Sequence, residues 1–156
     1  MYGFPEIKEI LDHPAFLSLS LYHHHGKHPR LLHAVAVAEL TYVMAKMRGL
    51  DIVSATRAAL LHDLYFYDKS MEKTKGHLTG HPVIALRNAA KYFKLNKIEK
   101  DAILHHMWPL TPVRPRFKES RLVAMADKAS TLMDVQRKAG MKLRNVRNRF
   151  RQTKVS

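Results

Sequence analysis

The chain has 156 residues, 46% of them apolar, with 27 Lys/Arg against 13 Asp/Glu and a formal charge of +14 at pH 7. That is long enough to bury one domain-sized core, and no apolar run approaches the roughly 20 residues that cross a bilayer. The absence of cysteine excludes disulfides, thiolate zinc sites and cysteine nucleophiles.

Eleven histidines are the compositional oddity. The charge is also unevenly placed: residues 137–156 hold eight Lys/Arg and no acid, so +8 lies in the tail and +6 in the body. The tail charge concerns partners of the tail, and the body charge is a weaker pointer to an anionic ligand.

Met1 to Ser20 reads as one or two short helices, with Pro5 and Pro14 at first-turn positions. Glu6 and Glu9 stand where a signal peptide would be basic and then apolar, so the expected location is the cytoplasm. His23, His24, His25 and His28 read as a solvated loop; three contiguous rings do not fold easily onto one ion. Arg30 to Arg48 is a helix with His33, Val37, Leu40, Met44 and Met47 on one stripe. Gly49 ends it. Asp51 caps the next helix, which runs from Ile52 to about Leu64 and ends in His62-Asp63. A carboxylate near a helix C-terminus meets negative potential, which a cation would relieve.

Tyr65 to Gly80 reads as a loop or broken helix. Pro82 suits the first turn of a helix with the stripe Val83, Leu86, Ala90 and Phe93, which leaves His81 at its N-terminal edge. Asn96 and Glu99 form a capping box for the helix that ends in His105-His106. A stiff basic loop follows, with Arg114. Ser120 is read as the cap of the next helix, whose stripe is Leu122, Ala126, Ala129 and Met133. Asp127 lies mid-helix between apolar flanks, where burial would require a cation or donors. Gly140 permits a break, and 141–150 reads as a final helix. Strand-like alternation, internal repeats and phosphate-cradling glycine motifs are absent from the sequence, so the fold class is all-α.

Each histidine or aspartate alone has a plain structural explanation. Together, His33, His62, Asp63, His81, His105, His106 and Asp127 form a series on successive helices or helix edges. Mixed nitrogen and oxygen donors suit iron, manganese, cobalt or nickel. Seven ligands would serve two ions if one carboxylate bridges them.

The ordered pattern His33…His62-Asp63…Asp127, with His81 and His105-His106 between, resembles the HD-domain superfamily of metal-dependent phosphohydrolases. The likeness covers about 25–134. The runs Leu60-Leu61-His62-Asp63-Leu64, His81-Pro82, Ala85-Leu86-Arg87-Asn88-Ala89, His106-Met107-Trp108-Pro109-Leu110 and Ala126-Asp127-Lys128 are similar to those of small bacterial single-domain HD proteins. The resemblance implies a bundle of about six to eight helices over 1–138, followed by a basic helix or tail over 139–156.

It also implies a site. His33, His62, Asp63 and Asp127 would hold one ion; bridging Asp63 with His81, His105 and His106 would hold a second. Asp63 is the catalytic candidate. The cofactor is one or two divalent ions, iron or manganese foremost, with cobalt, nickel or zinc as alternatives. Lys69, Arg114 and Lys128 are candidates for substrate phosphate. Lys69 lies six residues after Asp63, and no Gly-Tyr-Pro signature is present, so the resemblance does not extend to cyclic-dinucleotide hydrolases.

The expected activity is hydrolysis of a nucleotide or another small phosphoester. Two other readings stay open. HD-type di-iron folds also host oxygenases. A binding module would use the metal structurally and the tail for nucleic acid, but the tail has only Phe150 to stack on a base, so nucleic acid is not the favoured partner.

Overall fold

The computed structural model describes residues 1–24, 28–67 and 77–133; for 24, 28 and 77–79 it describes the backbone alone. In chain order come α1 (Pro5–Leu11), α2 (Pro14–Leu17) and a 3-10 turn (Ser18–Leu21). Two-residue strands β1 (His23–His24) and β2 (His28–Pro29) pair antiparallel, His23 opposite Pro29. Then follow α3 (Arg30–Met47), α4 (Ile52–Leu61), α5 (His77–Tyr92), α6 (Lys97–His105) and α7 (118–133). Seven α-helices among the described residues match the expected bundle, and the small ladder is an addition to it. No described helix is long and apolar enough to cross a membrane.

The ends of the helices follow from local chemistry. Pro5 and Pro14 open α1 and α2, where a missing N–H costs nothing. Gly49 takes φ +62° after α3, a conformation that disfavours side chains with a Cβ. Asp51 Oδ1 accepts from the Ser54 amide at 3.0 Å and starts α4. Asn96 Oδ1 accepts from the Glu99 amide (2.9 Å) while Glu99 Oε2 accepts from the Asn96 amide (2.8 Å), the reciprocal pair expected from the sequence.

α3 and α4 share the most extensive helix interface. Ala34, Ala38, Ala58 and Ala59 are fully buried, and their small size permits close approach of the two backbones. Leu60, Leu61 and Leu64 bury completely beside them, at about 1.5–3 kcal/mol each for full burial. This core holds the end of α4 in the middle of the molecule.

The sequence-based helix faces need rotation. α3 buries Arg30, His33, Ala34, Val37, Ala38, Thr41 and Ala45, while Met47 is 81% exposed. Alanines set this face, because tight packing favours small side chains over the longer Leu40 and Met44. α5 starts five residues before Pro82, which lies inside the helix. Its buried face is His81, Pro82, Ala85, Ala89 and Phe93, and Val83 is exposed. His81 is therefore buried within the helix rather than at its edge. α7 starts at 118, so Ser120 is not its cap; Ser120 Oγ donates to the Ile98 carbonyl from within the first turn. Met133, expected on the α7 stripe, is exposed. Lys69, His25, the boundary at 138, the break at Gly140 and the tail helix lie outside the described residues.

One polar junction ties α1, α4 and α6. Arg57 Nε donates to Glu99 Oε1 at 2.6 Å, and its Nη atoms donate to the Glu6 carbonyl (2.8 Å) and the Lys94 carbonyl (3.2 Å). Both Arg57 and Glu99 are buried; the further contact to Glu9 is mostly exposed and contributes little. Arg57→Met leaves the Glu99 carboxylate buried without its cation. The expected loss is about 3 kcal/mol, read as a lower urea midpoint at unchanged slope.

Candidate metal centre

Five helices or helix ends converge on one buried cluster. His33 comes from the second turn of α3, His62 and Asp63 from the turn closing α4, His81 from α5, His106 from the end of α6 and Asp127 from α7. All six are buried. Their donor atoms form two trios, His33–His62–Asp127 and Asp63–His81–His106, with the atoms of each trio within 4.8 Å of one another.

The two helix-ending histidines are oriented by the same device. The last turn of a helix leaves carbonyls without intrahelical partners. His62 Nδ1 lies 2.7 Å from the Ala59 carbonyl, and His106 Nδ1 lies 2.8 Å from the Ile103 carbonyl. A carbonyl can only accept, so Nδ1 carries the proton in both rings and Nε2 presents its lone pair inward. Such backbone contacts fix the tautomer of metal-ligating imidazoles.

The distances then argue for a cation. His62 Nε2 has no hydrogen-bond partner in the structure although its ring is fully buried. It lies 3.7 Å from Asp127 Oδ1 and 3.9 Å from Asp63 Oδ2. A lone pair facing two carboxylate oxygens is unfavourable unless positive charge sits among them. Asp63 reaches both ways, with Oδ2 toward His62 and Oδ1 at 3.5 Å from His81 Nε2 and 3.6 Å from His106 Nε2. His81 Nε2 and His106 Nε2 are 2.9 Å apart, close enough to share a proton that a cation would replace. All six residues fit a hard or borderline divalent ion.

Asp127 accepts from His33 Nε2 at 3.1 Å and from Lys128 Nζ at 3.0 Å. Burial alone would raise its pKa, but the His33 hydrogen bond, His62, His106 and Lys128 outweigh that and hold the carboxyl well below its usual range. Burial, reinforced by the neighbouring His62, pushes His106 down to about 3.

Of the other sequence candidates, His105 joins neither trio. Successive helical residues diverge by about 100°, so with His106 turned inward His105 turns aside and places Nδ1 2.9 Å from Asp101 Oδ1. His105, expected beside the second ion, therefore lies outside the two groups whose donor atoms come together. Lys128 Nζ donates to the His106 carbonyl as well as to Asp127, tying α7 to the end of α6 beside the cluster. Arg114 is exposed, its guanidinium 5.8 Å from the Trp108 ring centre.

Three supporting residues escape a search for ligands. Asp101 Oδ2 accepts from the Arg116 amide at 2.9 Å and anchors the basic loop; its spacing of four from His105 was the available signal. Asn88 Nδ2 donates to the Leu64 carbonyl at 2.8 Å. Arg30 is fully buried and donates to the Tyr65 and Tyr67 carbonyls, just after the His62-Asp63 turn in the chain; its signal was a cation on the apolar stripe, one turn before His33.

A family model for the HD domain matches residues 30–132. The chain therefore belongs to the HD-domain family, within the metal-dependent phosphohydrolase superfamily, whose members bind divalent metals. The matched span includes all six clustered residues. No solved structure matches the chain.

A neutral buried His106 makes apo stability depend on pH. Its folded pKa is below the unfolded value near 6.5, so the unfolded chain takes up the extra proton first. The stability this secures is present above about 6.5 and is lost as pH falls toward 3; depressed Asp127 adds a loss in the same direction below its unfolded value of about 4. In excess chelator, unfolding free energy should fall between pH 6.5 and 5 with a slope approaching about 1.4 kcal/mol per pH unit for the one proton. Denaturant titrations across that range check it, and His106→Gln should flatten the slope.

Proposed function

We propose that this protein hydrolyses a phosphate ester of a nucleotide or another small molecule, using two divalent ions held by the paired trios. The observation that carries the reading is Asp63, whose two carboxylate oxygens face different trios. His33, His62 and Asp127 would hold one ion, His81 and His106 the other, with Asp63 between them. Iron or manganese suits this all-nitrogen-and-oxygen donor set.

Paired ions supply Lewis acidity and an activated water for attack at phosphorus. The chain's own contribution is positioning. The Ala59 and Ile103 carbonyls keep the His62 and His106 rings in one tautomer. Lys128 neutralises part of the Asp127 charge and pins α7 to the end of α6. The buried walls keep bulk water away from the polar cluster, where charge–charge interactions are stronger than in solution. Arg114, exposed on the loop after α6, is a proposed contact for the distal part of an anionic substrate, and Lys69 remains proposed for the same role.

Asp63→Ala is expected to lose both ions and all hydrolysis. His105→Ala should keep both ions, because its ring serves Asp101. The check is elemental analysis of protein grown with iron and manganese, with a phosphoester and nucleotide screen on the same samples. Full occupancy and normal turnover in Asp63→Ala would refute the assignment. Oxygen consumption with substrate and no phosphate release would move the protein to the oxygenase reading; bound metal without turnover would favour a binding module.

A further inference from the structure

Arg30 occupies the first position of α3 and is fully buried. Among the described residues no carboxylate pairs with it. Its guanidinium instead takes backbone carbonyls from separate parts of the chain: Nη1 donates to Tyr65 at 2.6 Å, and Nη2 to Tyr67 at 2.9 Å and to His23 at 3.1 Å. It also stacks on Tyr65, with its central carbon 3.6 Å from the ring centre. Burying a cation without a counter-ion is expensive. A planar fork with five N–H donors is the side chain that can gather three carbonyls from different directions.

The carbonyls it gathers are not scattered. Two belong to the segment beginning directly after Asp63. That segment is irregular, so its carbonyls find no helical partners and need others when buried. The same segment is also held by Asn88 of α5, through the Leu64 carbonyl. The Tyr65 ring lies against the His81 ring, centres 5.5 Å apart. The grip thus connects α3, three residues before His33, to α5, seven residues after His81.

We propose that Arg30 is a positioning residue for the second metal position: it clamps residues 64–67 and, through Tyr65, fixes His81 relative to Asp63 and His106. The inference rests on the two-ion reading above. The first trio does not depend on this clamp to the same degree. His62 is oriented by the Ala59 carbonyl, and His33, in the second turn of α3, is held by the packing of its neighbours Ala34 and Val37 in the core.

The test is Mn(II) titration of the full chain, followed by elemental analysis and electron paramagnetic resonance. The wild type should bind two ions and show the signal of a coupled pair. Arg30→Met should keep the first ion, weaken the second by about 10- to 100-fold, the range for residues that orient ligands, and show the signal of isolated ions. Arg57→Met is the control for general destabilisation, since it removes a buried arginine away from the cluster; it should retain the coupled pair. If Arg30→Met does not fold, Asn88→Ala carries the test by loosening the same segment, with weaker second-ion binding expected. Two ions bound with unchanged affinity in the folded Arg30 variant, or in Asn88→Ala where that variant stands in, overturns the inference alone. So does equal weakening of both ions, or the same loss in Arg57→Met. A wild type that binds no ion overturns the two-ion reading and this inference with it.

Discussion

Two hydrogen bonds govern this centre: His62 Nδ1 on the Ala59 carbonyl and His106 Nδ1 on the Ile103 carbonyl. Each satisfies a group that a helix end would otherwise leave unpaired, and each spends one ring nitrogen so that the other is defined. Without them either ring could present N–H or lone pair to the cluster, and the carboxylates of Asp63 and Asp127 would face an ambiguous neighbour. Helix termination and the orientation of these two rings are one event here.

That arrangement requires two helix ends to meet in the interior, which the rest of the fold provides. Alanines on α3 and α4 bring those helices close enough for His33 to approach His62, with ring centres 5.4 Å apart. α6 is held at its start by the Asn96–Glu99 box, and it delivers His106 at its other end. Glu99 therefore contributes to the site without touching it, by fixing where a nine-residue helix begins.

Much of this was legible in the sequence because helix ends and metal donors have strong local signatures. Asp51, Gly49 and the Asn96 box marked boundaries correctly, and the six clustered side chains were all among the candidates. Faces were less legible. On α3 the apolar count favoured Met44 and Met47, whereas close packing favoured alanine. On α5 the proline suggested a start, but the helix runs through it and draws His81 inside. The His105-His106 pair could not be resolved from sequence, since either ring might have turned inward. In the structure His106 faces the cluster and His105 pairs with Asp101, whose role depends on a loop fifteen residues away. Arg30 stood out only as a cation on the apolar stripe; its role was unreadable for a similar reason, because its partners are backbone carbonyls, which leave no trace in residue identity.

With His105 turned toward Asp101, the two proposed positions would be unequal. On the proposed assignment the first ion would draw on His33, His62, Asp127 and one oxygen of Asp63, and the second on His81, His106 and the other oxygen. Counting donors, the second position would have one protein ligand fewer and one more coordination site to fill from outside. It would be the more labile ion, the one that exchanges with the medium and leaves first on dilution. It would also be the one with more room for an incoming oxygen. A pair built this way separates retention from access: one member anchors the centre and the other stays open to what arrives.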